Sequence, residues 1–86
     1  DLLVEMLDDQ DAFVRRMAVE SLAGYRSGRV ASAIVDYLQS CKKSEDRSGE
    51  LSAQKALQSM AGVKSPRTAA AWRRFADEMS AEENGR

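Results

Sequence analysis

Gly24-Tyr25-Arg26-Ser27-Gly28-Arg29 and Gly62-Val63-Lys64-Ser65-Pro66-Arg67 are two stretches of one design, 38 residues apart. Each starts with a glycine, passes two linking residues and arrives at a serine. A glycine just past a helix takes the left-handed conformation without steric cost. A serine oxygen can satisfy the free N–H groups at the start of the next helix. At Ser65-Pro66 the proline sits at the first helical position, where its fixed φ fits and its missing N–H costs nothing. So short a connection lays the helices it joins antiparallel and side by side. Each stretch therefore predicts a helical hairpin.

Outward from these stretches, the shift of 38 also pairs Asp8 with Asp46, Ala18 with Ala56, Ser21 with Ser59 and Ala23 with Ala61. Ala31 with Ala69 and Ala33 with Ala71 follow. Val19 with Leu57, Leu22 with Met60 and Ile34 with Trp72 match in hydrophobic character. The unit is a pair of helices, and a lone pair leaves one apolar face bare, so neighbours must stack to cover it.

The apolar spacing is helical throughout. Leu2, Leu3, Met6 and Leu7 make a short first segment that stops at Asp8-Asp9. A second helix is expected from about Asp11 to Ala23, capped by Asp9 or Asp11, with Val14, Met17, Ala18 and Leu22 as its inner stripe. A third, about 28–41, buries Val30, Ile34, Tyr37, Leu38 and Cys41, and Lys42 and Lys43 suit the negative end of its dipole. The polar run Lys42 to Gly49 reads as a loop. A fourth helix, about 49–61, buries Ala53, Ala56, Leu57 and Met60. A fifth carries Ala69, Trp72, Phe75, Ala76 and Met79, and residues 81–86 read as a frayed tail. The expected organisation is one domain over 1–86: 1–9 the end of a preceding repeat, 10–43 one repeat, 48–80 another, 81–86 a tail.

Composition narrows the function classes. Thirteen basic and 14 acidic residues give a net charge of −1, which disfavours a dedicated nucleic-acid binder. With no histidine and one cysteine, a Ser-His-Asp or Cys-His mechanism, a histidine-ligated zinc and an internal disulfide are excluded. No apolar run approaches the roughly 20 residues of a membrane helix. The charged fraction of 31% and hydrophobic fraction of 43% are ordinary for a soluble globular protein. The start at Asp1 rather than methionine reads as a cut from something longer. A cytoplasmic setting is favoured, though no residue names the compartment.

Leu7-Asp8-Asp9-Gln10-Asp11-Ala12-Phe13-Val14-Arg15-Arg16-Met17-Ala18-Val19-Glu20-Ser21-Leu22 resembles the first helix of a HEAT-like repeat of the phycobilisome-lyase type. That pattern runs from an acidic turn to Val-Arg, then alanines and a leucine. A second helix of small and aliphatic residues follows, as Val30 to Leu38 does here. The second repeat departs from it: Ser52-Ala53 stands in place of Val-Arg, so the usual structural arginine is missing, as in a divergent or capping repeat. The resemblance implies an all-α fold, an α-α superhelix of about two hairpins plus a leading half-repeat helix, with second helices lining a concave side. It implies no single activity, since HEAT-like arrays serve as scaffolds, as bilin-lyase subunits and as accessory domains of larger enzymes.

On this basis the chain is expected to be a non-catalytic protein-interaction or scaffold module with no cofactor. The alternatives are a nucleic-acid-binding HEAT-like module and an accessory domain of a bilin lyase or peptidase. Candidate partner-binding residues are those opposite the buried stripes of the second helices: Ser32, Asp36, Gln39 and Lys43, and 38 residues on, Arg74 and Asp77, flanked by Ala70 and Ala81. The bland alternative is a solvated helix face. Arg15 is expected to bond the acidic turn or its carbonyls. Arg16 and Arg74 are placed to pair with Glu20 and Glu78, Trp72 belongs in the core, and Cys41 is a small core residue. Asp8, Asp9 and Asp11 cap a helix rather than bind calcium. The expected partner is a protein of unknown identity. Self-association is also open, through a first face lined by Leu2, Leu3 and Met6.

Overall fold

A computed structural model describes residues 2–25, 27–61 and 69–84 of the chain. The Gly62 stop and the Ser65-Pro66 cap lie outside the described residues. Within them the chain is all-helical: α1 (Leu2–Met6), α2 (Ala12–Leu22), α3 (Gly28–Ser44), α4 (Arg47–Ala61) and α5 (Ala69–Asn84).

The acidic turn starts α2 as expected. The Asp11 carboxylate accepts from the Phe13 N–H at 2.8 Å, and Asp9 accepts from the Asp11 N–H at 2.9 Å. At the other end the expected device differs. The capping residue is Ala23 in right-handed helical conformation, and Gly24 has no left-handed φ. Ser27 holds the N-cap position of α3 in extended backbone, but its side chain makes no capping hydrogen bond.

The expected loop over 42–49 shrinks to Glu45 and Asp46. Helix α3 runs on through Ser44 and closes in a two-bond stop. The Asp46 N–H donates to the Cys41 carbonyl at 2.9 Å, and the Glu45 N–H to the Lys42 carbonyl at 3.4 Å. This geometry needs a left-handed residue, usually glycine; here it is Glu45, with φ 60°. Asp46 then caps α4, its carboxylate accepting from the Gly49 N–H at 3.0 Å. Two predictions follow from local chemistry. Glu45→Gly relieves the left-handed strain of an L side chain and is expected to stabilise the fold by about 0.5–1 kcal/mol. Asp46→Ala removes a cap and is expected to cost about 1 kcal/mol. Urea unfolding midpoints check both.

The core is one cluster. Ala18, Val19 and Leu22 of α2 belong to it with Val30, Ala31, Ile34, Val35, Tyr37, Leu38 and Cys41 of α3, although among the described residues neither α2 and α3 nor α4 and α5 pack closely side by side as the expected hairpins would. The cluster also takes in Ala53, Ala56, Leu57 and Met60 of α4 and Trp72, Ala76 and Met79 of α5. The expected stripes hold on α3 and α4, but on α2 Val14 is only half-buried and stands outside the core. Met17 is exposed and Val19 takes the buried place on α2, because Val19 follows Ala18 round towards α4. Residues 81–84, expected to fray, continue α5.

Helix α3 is central and packs closely on both α4 and α5, while α2 lies along α4 and α1 along α2. The chain folds back after Gly24: Arg15, near the start of α2, shares a cleft with Tyr37, Cys41 and Ser44, late in α3. The same cleft contains Asp46, so the starts of α2 and α4 lie together and the two helices run parallel. Gly49 permits the tight α3–α4 approach, since a Cβ there would fall 2.6 Å from both the Cys41 Sγ and the Tyr37 hydroxyl.

Helix α5 departs from the repeat. Gly28, at the start of α3, lies against Ser80, late in α5, while Arg73, early in α5, reaches Ser32 and Asp36 further along α3. α3 and α5 are therefore antiparallel, whereas equivalent helices of stacked repeats run parallel. The 48–80 unit is thus not laid on the 10–43 unit as a copy. Two physical causes are visible. Small residues at Gly28 and Ser80 let the backbones touch, and opposite charges on Arg73 and Asp36 meet only in this orientation. The radius of gyration, 12.0 Å, matches the roughly 12 Å of a closed globular chain of this length.

Candidate functional site

Helical spacing puts Ser32, Asp36, Gln39 and Lys43 on one strip of α3. On one side of it, Val4, Leu7 and Asp8 of the α1 end form a shallow cleft of about 170 Å³ with Ala33, Asp36, Tyr37 and Ser40. On the other side, Arg73 of α5 donates one N–H to the Ser32 Oγ at 3.0 Å and pairs with the Asp36 carboxylate. At Ser32 and Asp36 the strip is thus flanked by the α1 end on one side and by Arg73 of α5 on the other. Ser32 is half-buried, and Asp36 remains exposed despite its partner; Gln39 and Lys43 are exposed.

The six expected binding residues do not form a single surface. Arg74 and Asp77 are exposed, as are Ala70 and Ala81, but they lie on the face of α5 opposite Trp72, Ala76 and Met79. The antiparallel course of α5 takes them away from the α3 strip. Arg73 is the residue that joins the helices. An Arg-to-carboxylate pair at the surface contributes roughly 0–1 kcal/mol, so its effect is orientation more than stability. Opposite charge 37 residues apart was the signal for it, and the spacing of the repeat did not select it.

Arg15 fills the expected role, donating to the Asp9 carbonyl at 2.6 Å and to the Gln10 carbonyl at 3.1 Å. It thereby ties the acidic turn to α2. Neither Arg16–Glu20 nor Arg74–Glu78 closes as an ion pair among the described residues; the ion pair there is Arg73–Asp36. Trp72 is buried, edge-on to Phe75 with ring centroids 5.8 Å apart.

A second cleft, of about 280 Å³, is lined by Asp8, Asp9, Arg15, Tyr37, Ser40, Cys41 and Asp46 among others. Cys41 is buried and forms no disulfide. Burial pushes its thiol pKa up, with Asp46 adding to the effect, so little nucleophilic thiolate forms at neutral pH. The Tyr37 hydroxyl is also buried and finds no hydrogen-bond partner among the described residues. Burial, then the neighbouring Cys41, pushes its pKa up to about 12. A phenol whose folded pKa lies above its unfolded value near 10 contributes full stability below pH 10. That contribution is lost as pH rises from 10 towards 12. Unfolding midpoints measured from pH 9 to 12 are expected to fall more steeply for the native chain than for Tyr37→Phe.

Among the described residues no group of three or more acidic or cysteine side chains is placed to hold a metal ion, and no helix is long and apolar enough to cross a membrane. Searches of family models, of curated proteins and of solved structures find no match to this chain.

Proposed function

We propose that the chain is a non-catalytic protein-interaction module in which α3 forms the floor of a trough that takes an extended or helical segment of a partner. The observation that carries this is the strip Asp36, Gln39 and Lys43, open to solvent and flanked at Asp36 by the α1 end and by Arg73 of α5. Its apolar side, Val4 and Ala33, gives a segment contact area, and its polar groups set orientation, as in the centre and rim of ordinary interfaces. The buried, high-pKa Cys41 supports a binding role over nucleophilic chemistry.

The HEAT-like character fits this reading in part. The parallel, adjacent α2 and α4 are what successive repeats have, whereas the close α2–α3 hairpin of such a repeat is replaced by packing of α3 on α4 and α5. The reversed α5 then acts as a cap that ends the stack and supplies the second wall of the trough. The missing Val-Arg pair at Ser52-Ala53 agrees with a capping unit.

Affinity capture from a native extract, using the intact chain, tests the proposal. Partners retained by the native protein are expected to be lost about tenfold or more with Lys43→Glu combined with Gln39→Arg, which reverse charge and add bulk on the strip. Arg74→Glu with Asp77→Lys, on the outer face of α5, is expected to leave capture unchanged. Equal recovery with both variants contradicts the trough.

A further inference from the structure

We infer that the outward face of α2 is a self-complementary surface that pairs with the same face of a second copy of this chain. Two of the exposed large hydrophobic residues lie along it, Phe13 at 60% and Met17 at 46% exposure, and Tyr25, 58% exposed, follows in the turn past its end. Phe13, Arg16, Met17 and Glu20 recur at three- and four-residue intervals, so they share the face opposite buried Ala18, Val19 and Leu22. Gly24 follows at the end of the helix, where a Cβ would meet only the Ser21 carbonyl oxygen at 4.0 Å.

Charge selects the occupant. Arg16 and Glu20 stand on one flank of the stripe, and neither has an ion-pair partner among the described residues. When a helix packs on its own copy about a two-fold axis perpendicular to it, the two run antiparallel and like flanks meet, residue i of one facing residue j of the other and j facing i. With the axis near residue 18, Arg16 of each chain faces Glu20 of the other. Phe13 of each chain then falls over the Ala23–Gly24 end of the other helix, where Gly24 carries no side chain. The oppositely charged flank groups are thus paired twice by a single symmetry operation, and a surface of unrelated sequence would have to match them by chance. Leu51, exposed on the neighbouring α4 beside a groove that Arg16 and Glu20 also line, would be covered by the same contact. This surface is separate from the α3 trough, and occupation of one leaves the other free.

Sedimentation equilibrium over a concentration series tests the pairing on the full chain. The apparent mass is expected to rise from 9.5 kDa towards twice that value. Arg16→Glu and Glu20→Arg, each alone, set like charges against each other and are expected to weaken association roughly tenfold or more. Far-UV circular dichroism is expected to remain native for both, because the positions lie outside the core. The decisive step mixes the two variants. One then carries two acidic groups and the other two basic ones, so the heterodimer restores both cross-chain pairs and the mass rises again. An ion pair within one helix cannot produce that recovery. A native chain that stays monomeric at every concentration, single variants that associate like the native chain, or a mixture that does not recover would each overturn the inference.

Discussion

Gly28→Val is expected to lower the unfolding free energy by about 3 kcal/mol and to shift the Trp72 emission to the red before any denaturant is added. The reason is a backbone contact. A Cβ at position 28 would sit 2.5 Å from the Ser80 N and 2.6 Å from its Cα, and a backbone cannot move aside as a side-chain tip can. The two helices must separate, and overpacking of this kind costs typically 1–3 kcal/mol, more for a branched group. Gly28→Ala is expected to cost less, because the smaller intrusion is partly offset by the helix preference of alanine over glycine. Trp72 is the chain's single tryptophan and is buried on α5, so its fluorescence reports separation of α5 from α3 directly. At Gly49 the obstacles to a Cβ are side-chain ends, the Cys41 Sγ, the Tyr37 hydroxyl and the Asp46 Oδ2. Gly49→Ala is therefore expected to be milder than the same change at Gly28.

Leu38→Ala is expected to destabilise the fold by about 3–4 kcal/mol. Leu38 is fully buried, on the one helix that packs on both α4 and α5. Truncating it removes apolar burial and leaves a cavity whose walls belong to rigid neighbours, conditions under which leucine-to-alanine changes cost 2–5 kcal/mol. A domain of this size carries about twice that in total, so the variant is expected to populate unfolded chain near physiological temperature. Leu51→Ala is the matched control. The residue is the same, but it is exposed on α4, and its loss is expected to cost less than 0.5 kcal/mol in the monomer. Urea titrations of the three proteins rank them.

Much of the local structure was legible from residue chemistry. The stripes on α3 and α4 were readable because an apolar residue every three or four positions has one meaning when both neighbouring faces are polar. The acidic turn before α2 and the carbonyl-binding Arg15 were readable because caps act within a few residues. Three features were not. The stop of α3 at Glu45 was hidden because a left-handed position usually announces itself with glycine, and here the chain strains a glutamate instead. Met17 was misplaced because α2 is short and its buried side is turned towards α4, a tertiary choice. The direction of α5 was hidden for a similar reason. Apolar spacing marks which stretches are helical, but the orientation of one helix on another depends on where small residues permit contact. Gly28 and Ser80 decide it, and they look unremarkable one at a time. The candidate site was legible in the same measure. The α3 strip was found because it is a single-helix property. Its separation from Arg74 and Asp77 depended on the path of α5.

The antiparallel seating of α5 on α3 is the claim on which the trough, the role of Arg73 and the cost at Gly28 all rest. Nuclear Overhauser contacts in the intact chain measure it most directly. The account predicts cross-peaks between the Gly28 α-protons and the Ser80 side chain, and between Arg73 and the Ser32–Asp36 turn of α3. Cross-peaks that instead join the start of α3 to the start of α5 and the end of α3 to its end would contradict it, because that is the register of parallel, stacked repeats.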